Sequence, residues 1–286
     1  MNISNNWTDY ECIATGDGEK LERWGNVILN RPDPQIIWNK TNNPVWNTWD
    51  GYYERSKTGG GSWHFKHKLK DYWTIKYKDL TFKVSPTNFK HTGIFPEQAT
   101  NWDYIIDKIK ESNQKEFRVL NLFAYTGCAT MAASSAGASE VVHVDSSKGM
   151  IDWAKENMKL SGLENNRIRF IQDDVLKFLE KEKRRGRTYH AITMDPPSYG
   201  RGPNKEVWKL EDNLQELLNK TKDILDKDFS FLLINCYTTG FSPTSLYNIL
   251  SLTFKNNKIL TGEIGLPVTE NNLVLPCGIY GKVSKY

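Results

Sequence analysis

Short apolar runs alternate with amphipathic stretches from about residue 115 onwards. The apolar runs predict strands at residues 119–123, 141–144, 168–171, 190–194 and 229–235. The stretches between them predict helices at 128–136, 148–161, 175–185, 210–225 and 242–252. Two final apolar runs, 259–264 and 273–280, have no helix between them and predict a hairpin with one antiparallel strand. This alternation is typical of a mostly parallel sheet covered by helices on both faces.

The first 85 residues have a different pattern. Seven of the ten tryptophans lie within the first 73 residues, among short β-like runs at 10–14, 25–29, 35–38, 73–77 and 80–84. Lys78-Asp79 predicts a hairpin turn between the last two runs. Pro96 suits the first turn of a helix at 96–110. We therefore expect a small β-rich domain at 1–85, a linker loop and helix at 86–114, and an α/β domain at 115–286.

Composition narrows the class of protein. The chain has 286 residues, of which 38% are hydrophobic and 25% charged, with a net charge of +4. No apolar run approaches the roughly 20 residues of a membrane span, and the N-terminus lacks a signal-peptide layout. The four cysteines are scattered without metal-ligand spacing. We expect a cytoplasmic protein without disulfides or a metal site, whose mild basic bias permits an anionic partner.

The segment with the most chemical information is Asp195-Pro196-Pro197-Ser198-Tyr199-Gly200, which follows the predicted fourth strand. Neither proline can donate to a sheet ladder, so the strand must end there. The segment thus places a carboxylate at the carboxyl edge of the sheet, where open α/β sheets bind ligands.

Other polar groups follow the first three strands. Asn121 to Gly127 forms the first strand-to-helix turn but lacks the glycine pattern of a dinucleotide site. Asp145 ends the second strand, where it can accept hydrogen bonds from ribose hydroxyls or cap the next helix, although Ser146 or Ser147 could cap equally well. Asp173-Asp174 follows the third strand; one carboxylate can accept from an adenine amino group while the other caps a helix. We favour Asp174 for adenine, with Asp173 as the alternative.

Together these segments resemble the class I S-adenosylmethionine-dependent methyltransferases. The chain is most similar to the bacterial branch that makes 5-methylcytosine and 7-methylguanosine in large-subunit ribosomal RNA. Two further segments fit that branch: the loop from His91 to Gln98, and Gly200-Arg201-Gly202 followed by Glu206 to Leu210. The resemblance implies a Rossmann-like α/β fold with a mostly parallel seven-stranded sheet, preceded by the small mainly β domain. It also implies that residues 115–286 bind S-adenosylmethionine and carry out catalysis.

The resemblance also implies which residues form the site. Those implied to contact the cofactor are Phe95, Gln98, Asn121, Phe123, Ala124, Tyr125, Thr126, Gly127, Asp145, Asp174 and Asp195. For transfer to an exocyclic amine, Asp195 and the Pro196 carbonyl would orient the acceptor. Enzymes of that kind usually have an aromatic residue directly after the second proline, whereas here Ser198 holds that position and Tyr199 follows.

Methylation at pyrimidine carbon 5 needs a cysteine thiolate. Cys236, at the end of the fifth strand, is the candidate, and the alternative is that it is a buried core cysteine. Methylation of a ring nitrogen needs no cysteine and stays open.

Candidate RNA contacts lie in two places. Residues 56–70 contain lysines and histidines without an acid, interleaved with aromatic residues, and here we select Trp63, Lys66 and Lys68. Tyr199 and Arg201 are candidates beside the Asp-Pro-Pro segment. The alternative for residues 56–70 is a solvated hairpin. The expected function is methylation of a base in RNA, with ribosomal RNA as the expected substrate. The alternatives are a methyltransferase for a small molecule or protein, or a non-catalytic RNA-binding module.

Overall fold

The computed structural model describes residues 1–56, 60–87, 90–202 and 206–285. Its contacts divide the chain into two units. The first comprises Met1–Thr100 with Ile264–Cys277, and the second comprises Asn101–Glu263 with Gly278–Tyr286. The segment 264–277 therefore packs with the N-terminal residues although it is remote from them in sequence. No helix in the described part of the chain has the length and apolarity that crossing a bilayer requires.

The first unit is built mainly from strands. They are β1 (Asn2–Ile3), β2 (Tyr10–Gly16), β3 (Glu19–Trp24), β4 (Val27–Pro32), β5 (Gly51–Arg55), β6 (Gly61–Phe65), β7 (Trp73–Tyr77) and β8 (Leu80–Val84). Strands β2 to β6 form a five-stranded sheet in chain order, and β7 pairs with β8 in a separate antiparallel hairpin. Lys78 has a φ of 51° in the turn of that hairpin, as a tight reversal requires.

One local expectation for this unit was wrong. Residues 35–38 do not form a strand, because the Asp33 side chain and carbonyl accept from the backbone N–H groups of Gln35 and Ile36 and form a turn. Strands β3, β5 and β6 were not predicted. In β3, charged residues interrupt the apolar alternation. One of them, Glu22, is fully buried and accepts from Arg31 Nε at 2.6 Å and from the Tyr10 hydroxyl at 2.8 Å.

The second unit is an α/β sandwich. Its strands are β9 (Arg118–Leu122), β10 (Glu140–Asp145), β11 (Ile168–Gln172), β12 (Ala191–Met194), β13 (Tyr199–Arg201), β14 (Val207–Lys209) and β15 (Phe231–Cys236). Its helices are α1 (Ala99–Glu111), α2 (Cys128–Ser135), α3 (Lys148–Leu160), α4 (Val175–Arg184), α5 (Leu210–Asp223) and α6 (Pro243–Thr253). Two long strands, β16 (Lys258–Pro267) and β17 (Val274–Ser284), run through both units.

The large sheet confirms the expected fold class. Its strand order is β1-β16-β17-β15-β12-β9-β10-β11. Strands β15, β12, β9, β10 and β11 pair in parallel, and β17 is antiparallel to β15. The sheet is thus mostly but not purely parallel, and the two-residue β1 adds an eighth strand to the expected seven. The central strands are buried on both faces, which explains their continuous apolar sequence.

Two features of this part of the chain were not predicted in detail. The expected helix at 96–110 begins as a 3-10 turn at Pro96–Gln98 and continues as α1. The segment after Asp-Pro-Pro forms a short antiparallel hairpin, in which Tyr199 on β13 lies opposite Lys209 on β14. Its strands have only three residues each, too few for a periodic pattern to be visible in the sequence.

Candidate cofactor and active site

The candidate site lies at the carboxyl edge of the large sheet. Strands β9, β10, β11 and β12 are parallel, and β9 lies between β10 and β12. The polar segments that follow these strands therefore emerge at the same edge. They are the turn at 123–127 after β9, Asp145 at the end of β10, Asp173-Asp174 after β11, and Asp195-Pro196-Pro197 after β12.

The turn between β9 and α2 has an unusual backbone. The φ values of Phe123, Tyr125 and Gly127 are 52°, 51° and 83°. Two aromatic residues therefore adopt the left-handed backbone conformation, which residues other than glycine rarely adopt. The turn is held by the Ala124 N–H, which donates to the Val144 carbonyl at 3.0 Å. Asn157 on α3 donates to the Thr126 carbonyl at 2.9 Å. Backbone strain that surrounding contacts enforce is concentrated at functional sites.

Asp145 is joined to this turn. One carboxylate oxygen accepts from the Tyr125 N–H at 2.8 Å, and the other accepts from the Ser147 N–H at 2.8 Å. Ser147 itself caps α3 by accepting from the Met150 N–H, so Asp145 is not the helix cap. Burial raises the pKa of Asp145, while these backbone hydrogen bonds act in the opposite direction. The half-buried carboxylate is thus fixed in place, and its remaining lone pairs can accept further hydrogen bonds.

Beneath the turn lies a buried polar chain that the sequence did not reveal. The Asn121 amide donates to Thr130 Oγ1 at 2.9 Å, and that oxygen lies 2.9 Å from His143 Nδ1. His143 is fully buried, which lowers its pKa to about 3 and keeps the ring neutral. The Asn121 side chain is 4% exposed, so the structure places it in the support of the turn.

The two aspartates after β11 have different environments. Asp174 caps α4, accepting from the Lys177 N–H through Oδ1 at 3.0 Å. Asp173 accepts from the Asp174 N–H through Oδ1 and from Lys181 Nζ through Oδ2 at 2.6 Å. Both oxygens of Asp173 are therefore engaged, whereas capping uses one oxygen of Asp174. The capping role that the sequence left open thus belongs to Asp174, and the choice of Asp174 over Asp173 for the adenine contact stays a prediction.

The Asp-Pro-Pro segment is anchored on two sides. The Asp195 N–H donates to the Leu122 carbonyl at 3.3 Å, which places Asp195 beside the end of β9. The indole N–H of Trp208 donates to the Pro197 carbonyl at 2.6 Å, and the Trp208 ring packs against Phe123 with ring centroids 5.0 Å apart. Trp208 therefore links this segment to the turn at 123–127, a supporting role that sequence reasoning missed.

Comparison with known proteins identifies this arrangement. The family model described as S-adenosylmethionine-dependent methyltransferase matches residues 41–241. The chain belongs to this methyltransferase family. A crystal structure of the SAM-dependent methyltransferase from Agrobacterium tumefaciens is 34% identical, with a TM-score of 0.95, and the alignment covers 100% of this chain and 93% of that one.

The names of curated relatives also specify a substrate. The large-subunit ribosomal RNA methyltransferase K/L of Shewanella frigidimarina is 33% identical over 54% of this methyltransferase chain and 21% of its own length. The large-subunit ribosomal RNA methyltransferase I of an Enterobacter species is 42% identical over 52% of this chain and 33% of its own length. The chain thus spans about a fifth to a third of the length of these relatives.

The hydrogen-bonding groups at this edge of the methyltransferase sheet are complementary to those of S-adenosylmethionine. Adenosine presents two ribose hydroxyls and an exocyclic amine, all of which donate, and the edge offers the Asp145 and Asp174 carboxylates as acceptors. Within the described residues, no group of three His, Cys, Asp or Glu side chains is placed to hold a metal ion. The groups that the described residues place at this edge are carboxylates, backbone carbonyls and aromatic rings.

Cys236 lies at the end of β15, beside the Asp-Pro-Pro segment. Met194 pairs with Ile234 in the parallel ladder, so Pro196 and Cys236 follow at equivalent positions. The thiol is 2% exposed, and burial raises its pKa well above the ordinary value, with the Asp195 charge adding to the effect. These surroundings favour the thiol over the thiolate that nucleophilic attack requires.

Phe95 and Gln98 belong to the first unit. Both lie at the end of the loop from His91 to Gln98, where Gln98 is 8% exposed. The Ser4 hydroxyl and the Trp7 indole N–H both donate to the Pro96 carbonyl, at 2.8 and 2.9 Å. At the other end of the loop, Arg31 donates to the Lys90 carbonyl at 2.9 Å. The first unit therefore clamps this loop at both ends.

The candidate RNA contacts fall on both units. Trp63 lies on β6 of the first unit, and its indole N–H donates to the Thr87 carbonyl at 2.9 Å. Lys66 and Lys68 follow β6 and are exposed, with Lys66 Nζ 4.3 Å from the ring centroid of Trp49. Tyr199, 54% exposed, and Arg201 lie on β13 of the second unit. Lys57 lies outside the described residues.

Proposed function

We propose that this protein transfers a methyl group from S-adenosylmethionine to a base in RNA, with large-subunit ribosomal RNA as the substrate class. The observation that carries this proposal is the convergence of Asp145, Asp174 and Asp195 at neighbouring strand ends around the left-handed turn. The names of the curated relatives support RNA as substrate, and a ribosomal RNA substrate would place the reaction in the cytoplasm.

Each group has a distinct proposed role. Asp145 accepts hydrogen bonds from the ribose hydroxyls, and Asp174 accepts from the adenine amine. The turn at 123–127, with Asn121 beneath it, positions the cofactor against the sheet edge, and Phe95 and Gln98 cover the methionine end. The bound cofactor supplies an electrophilic methyl group. Asp195 and the Pro196 carbonyl then hold the acceptor atom of the base in line with that methyl group.

We further propose that the acceptor is a nitrogen atom. A nitrogen acceptor has its own lone pair and needs orientation and acceptance of a proton, which Asp195 can provide. Carbon 5 of a pyrimidine needs addition of a thiolate, and the burial and raised pKa of Cys236 oppose its formation. Carbon methylation through Cys236 is the second candidate, because Cys236 and Pro196 each follow the Met194–Ile234 pair of the β12–β15 ladder by two residues.

The RNA contacts are proposed on the basis of charge and exposure. Tyr199 and Arg201 are exposed on the hairpin that follows Asp195-Pro196-Pro197, and they would contact nucleotides next to the target base. Trp63, Lys66 and Lys68 would contact a part of the RNA through the first unit.

Nucleoside mass spectrometry tests this function. Ribosomal RNA is prepared from the source organism with the gene, without it, and with the gene restored. We expect one methylated nucleoside, modified at nitrogen, to disappear in the deletion strain and return on complementation. Loss of 5-methylcytosine instead would support the Cys236 mechanism. An unchanged nucleoside profile would contradict ribosomal RNA as substrate.

A further inference from the structure

One edge of the large sheet is only partly paired. Strand β16 lies between β17 and β1, and β1 pairs only with Ile264 and Gly265. Within the part of the chain that the structure describes, no strand pairs with the outer side of residues 258–263, which belong to the second unit. The outward backbone N–H and carbonyl groups of this stretch therefore have no partner in the sheet. Such an open edge is a template for pairing with another strand.

This edge lacks the charged residues that usually protect an edge strand. From Ile259 to Gly262 there is no charged residue and no proline, and the Leu260 side chain is 51% exposed. The strand at the opposite edge, β11, differs in this respect. Its Arg169 lies 3.8 Å from Glu140, and Arg167, directly before the strand, lies 3.1 Å from the same carboxylate. The edge at 258–263 is thus the unprotected one.

The helix next to this edge is uncharged. Helix α5 contacts both α4 and α6, so α6 is the last of three helices that lie side by side. It packs over β17, where a Cβ on Gly281 would be 2.6 Å from the Leu250 side chain. Residues 243–253 include no charged side chain, whereas α1, α3, α4 and α5 each carry several. Protein interfaces are depleted of charged residues relative to the rest of the surface.

One flank of α6 faces away from α5 and towards the edge. Thr253 faces α5, because Gln215 of that helix donates to the Thr253 hydroxyl at 2.9 Å. Successive residues of a helix are rotated by about 100°, which places Tyr247 about 120° from Thr253, with the buried Leu246 and Leu250 between them. Tyr247 is 46% exposed. The flank beside β16 therefore presents an exposed aromatic ring.

We infer that a second copy of this chain binds at this edge, with β16 of one copy antiparallel to β16 of the other. A twofold pairing of identical strands places one residue opposite its own copy. Leu260 is the central residue of 258–262, and at this register the two Leu260 side chains meet at the axis. Lys258 then lies opposite Gly262, and Ile259 lies opposite Thr261. Larger side chains thus pair with smaller ones on either side of the axis.

The charges at the two ends of the stretch favour this orientation. Lys258 is at its beginning and Glu263 is at its end. Antiparallel pairing brings the basic end of one copy beside the acidic end of the other, whereas parallel pairing would set like charges side by side. The two open stretches satisfy each other, so the assembly closes at two copies. Nothing in this pairing depends on the substrate, so it goes beyond the proposed function.

The interface must include α6 as well as the ladder. Stable interfaces bury roughly 800 Å² on each partner. A strand of five residues is only about 17 Å long and is too short to bury this area alone. The flank of α6 that carries Tyr247 lies beside the ladder and packs against the same flank of the second copy.

Sedimentation velocity of the full-length protein over a concentration series tests this interface. The principal variant is Leu260→Lys, which places two like charges opposite each other at the axis. Its matched control is Leu252→Lys, which introduces the same charge on α6 at a position that is 70% exposed and about 140° from Tyr247. Calorimetric titration with S-adenosylhomocysteine shows that both variants are folded.

We expect the wild-type protein to sediment with twice the 33.0 kDa mass of one chain. Leu260→Lys should raise the dissociation constant of the dimer at least about tenfold, because opposed like charges at an interface cost several kcal/mol. Leu252→Lys should leave the dissociation constant unchanged.

A disulfide at the axis tests the register. Directly opposed residues of an antiparallel pair have Cβ atoms about 4.5–5.5 Å apart, which small adjustments bring within disulfide range. Oxidised glutathione should therefore link two copies of Leu260→Cys covalently, and it should not link Leu252→Cys. The wild-type protein is treated in parallel, because the chain has four free cysteines, three of them buried.

Three results would overturn the inference. The first is a wild-type protein that sediments as a monomer at every concentration. The second is a dimer that Leu260→Lys weakens no more than Leu252→Lys does, since such a dimer would use another surface. The third is oxidation that links Leu260→Cys no faster than Leu252→Cys.

Discussion

The indole N–H of Trp208 donates to the carbonyl oxygen of Pro197 at 2.6 Å. This hydrogen bond fixes the carbonyl of the second proline after Asp195, two residues from the carboxylate that we propose to hold the target base. Ser198, the next residue, contacts Thr238 through hydroxyl oxygens 2.7 Å apart. The segment that carries Asp195 is therefore held by hydrogen bonds at two successive residues, Pro197 and Ser198, which suits an enzyme that works by positioning.

Trp208→Phe should lower the rate of methyl transfer more than the affinity for cofactor. Phenylalanine retains an aromatic ring to pack against Phe123 but loses the hydrogen bond to Pro197. We expect a loss of about 1 kcal/mol in the free energy of unfolding, the typical contribution of one hydrogen bond. Chemical denaturation and single-turnover kinetics measure the two effects.

The matched control for this variant is Trp73→Phe. It removes an indole N–H that donates to the Trp24 carbonyl at 2.9 Å in the first unit. A loss of transfer rate in the control as large as that in Trp208→Phe would argue that the effect is general destabilisation.

Asp145→Ala should weaken cofactor binding. The variant removes the acceptor for the ribose hydroxyls and the link between the turn and α3 through Tyr125 and Ser147. Hydrogen bonds to a charged group contribute about 1.5–3 kcal/mol, so we expect the affinity for S-adenosylhomocysteine to fall about ten- to a hundredfold. Calorimetric titration measures this, with Asp152→Ala, an exposed acid on α3, as the control. Equal affinities of the two variants would contradict the proposed role.

Cofactor affinity should also fall at acidic pH. Burial raises the pKa of Asp145 above its ordinary 3.8, so its protonation begins at a higher pH than that of an exposed aspartate. Because the protonated carboxyl loses acceptor capacity, affinity is full above the raised pKa and is lost as the pH falls through it. Titrations across the acidic range measure this midpoint, and a pH-independent affinity would contradict the assignment.

Removing the hydrogen bonds that hold the end of the loop from His91 to Gln98 should also weaken cofactor binding. Ser4→Ala with Trp7→Phe removes both side-chain donors to the Pro96 carbonyl while leaving an aromatic ring at position 7. If Phe95 and Gln98 cover the cofactor, the affinity for S-adenosylhomocysteine should fall roughly three- to thirtyfold, as expected for two hydrogen bonds of about 1 kcal/mol each. A change no larger than that of Trp73→Phe would contradict this role of the loop.

Acid should destabilise the first unit through Glu22. Burial alone would raise the pKa of this carboxyl, but Arg31 and Lys20 outweigh it, and hydrogen bonds from Arg31 and Tyr10 help to hold the pKa at about 2, below its ordinary 4.5. The resulting stabilisation is present above pH 4.5 and is lost as the pH falls through 2, an effect of about 3 kcal/mol. Acid unfolding followed by tryptophan fluorescence measures it, and Glu22→Gln should remove this part of the pH dependence.

The sequence predicted the large sheet well because its central strands are local, continuous apolar runs. The same locality placed Asp145 and Asp195 at strand ends, since each residue directly follows its run. The structure then showed that Ser147 caps α3, a choice between neighbouring polar residues that the sequence left open.

Other features depend on contacts between distant residues and have no local signature. The buried face of strand β3 is not recognisable in the sequence, because it includes the charged residue Glu22. The partner that neutralises Glu22 is Arg31, nine residues away on β4. The clamp from Ser4 to Pro96 spans 92 residues, and the bond from Trp208 to Pro197 crosses a hairpin with strands of only three residues. Such contacts could be found only in the folded structure.

The most direct test of the central claim is transfer of a labelled methyl group from S-adenosylmethionine to ribosomal RNA isolated from the deletion strain. We expect label to enter ribonuclease-sensitive material with the wild-type protein. Asp195→Ala should slow transfer about a hundredfold, the typical cost of misplacing a reactant, with cofactor affinity nearly unchanged. Absence of label from RNA, or transfer by Asp195→Ala at the wild-type rate, would contradict the account.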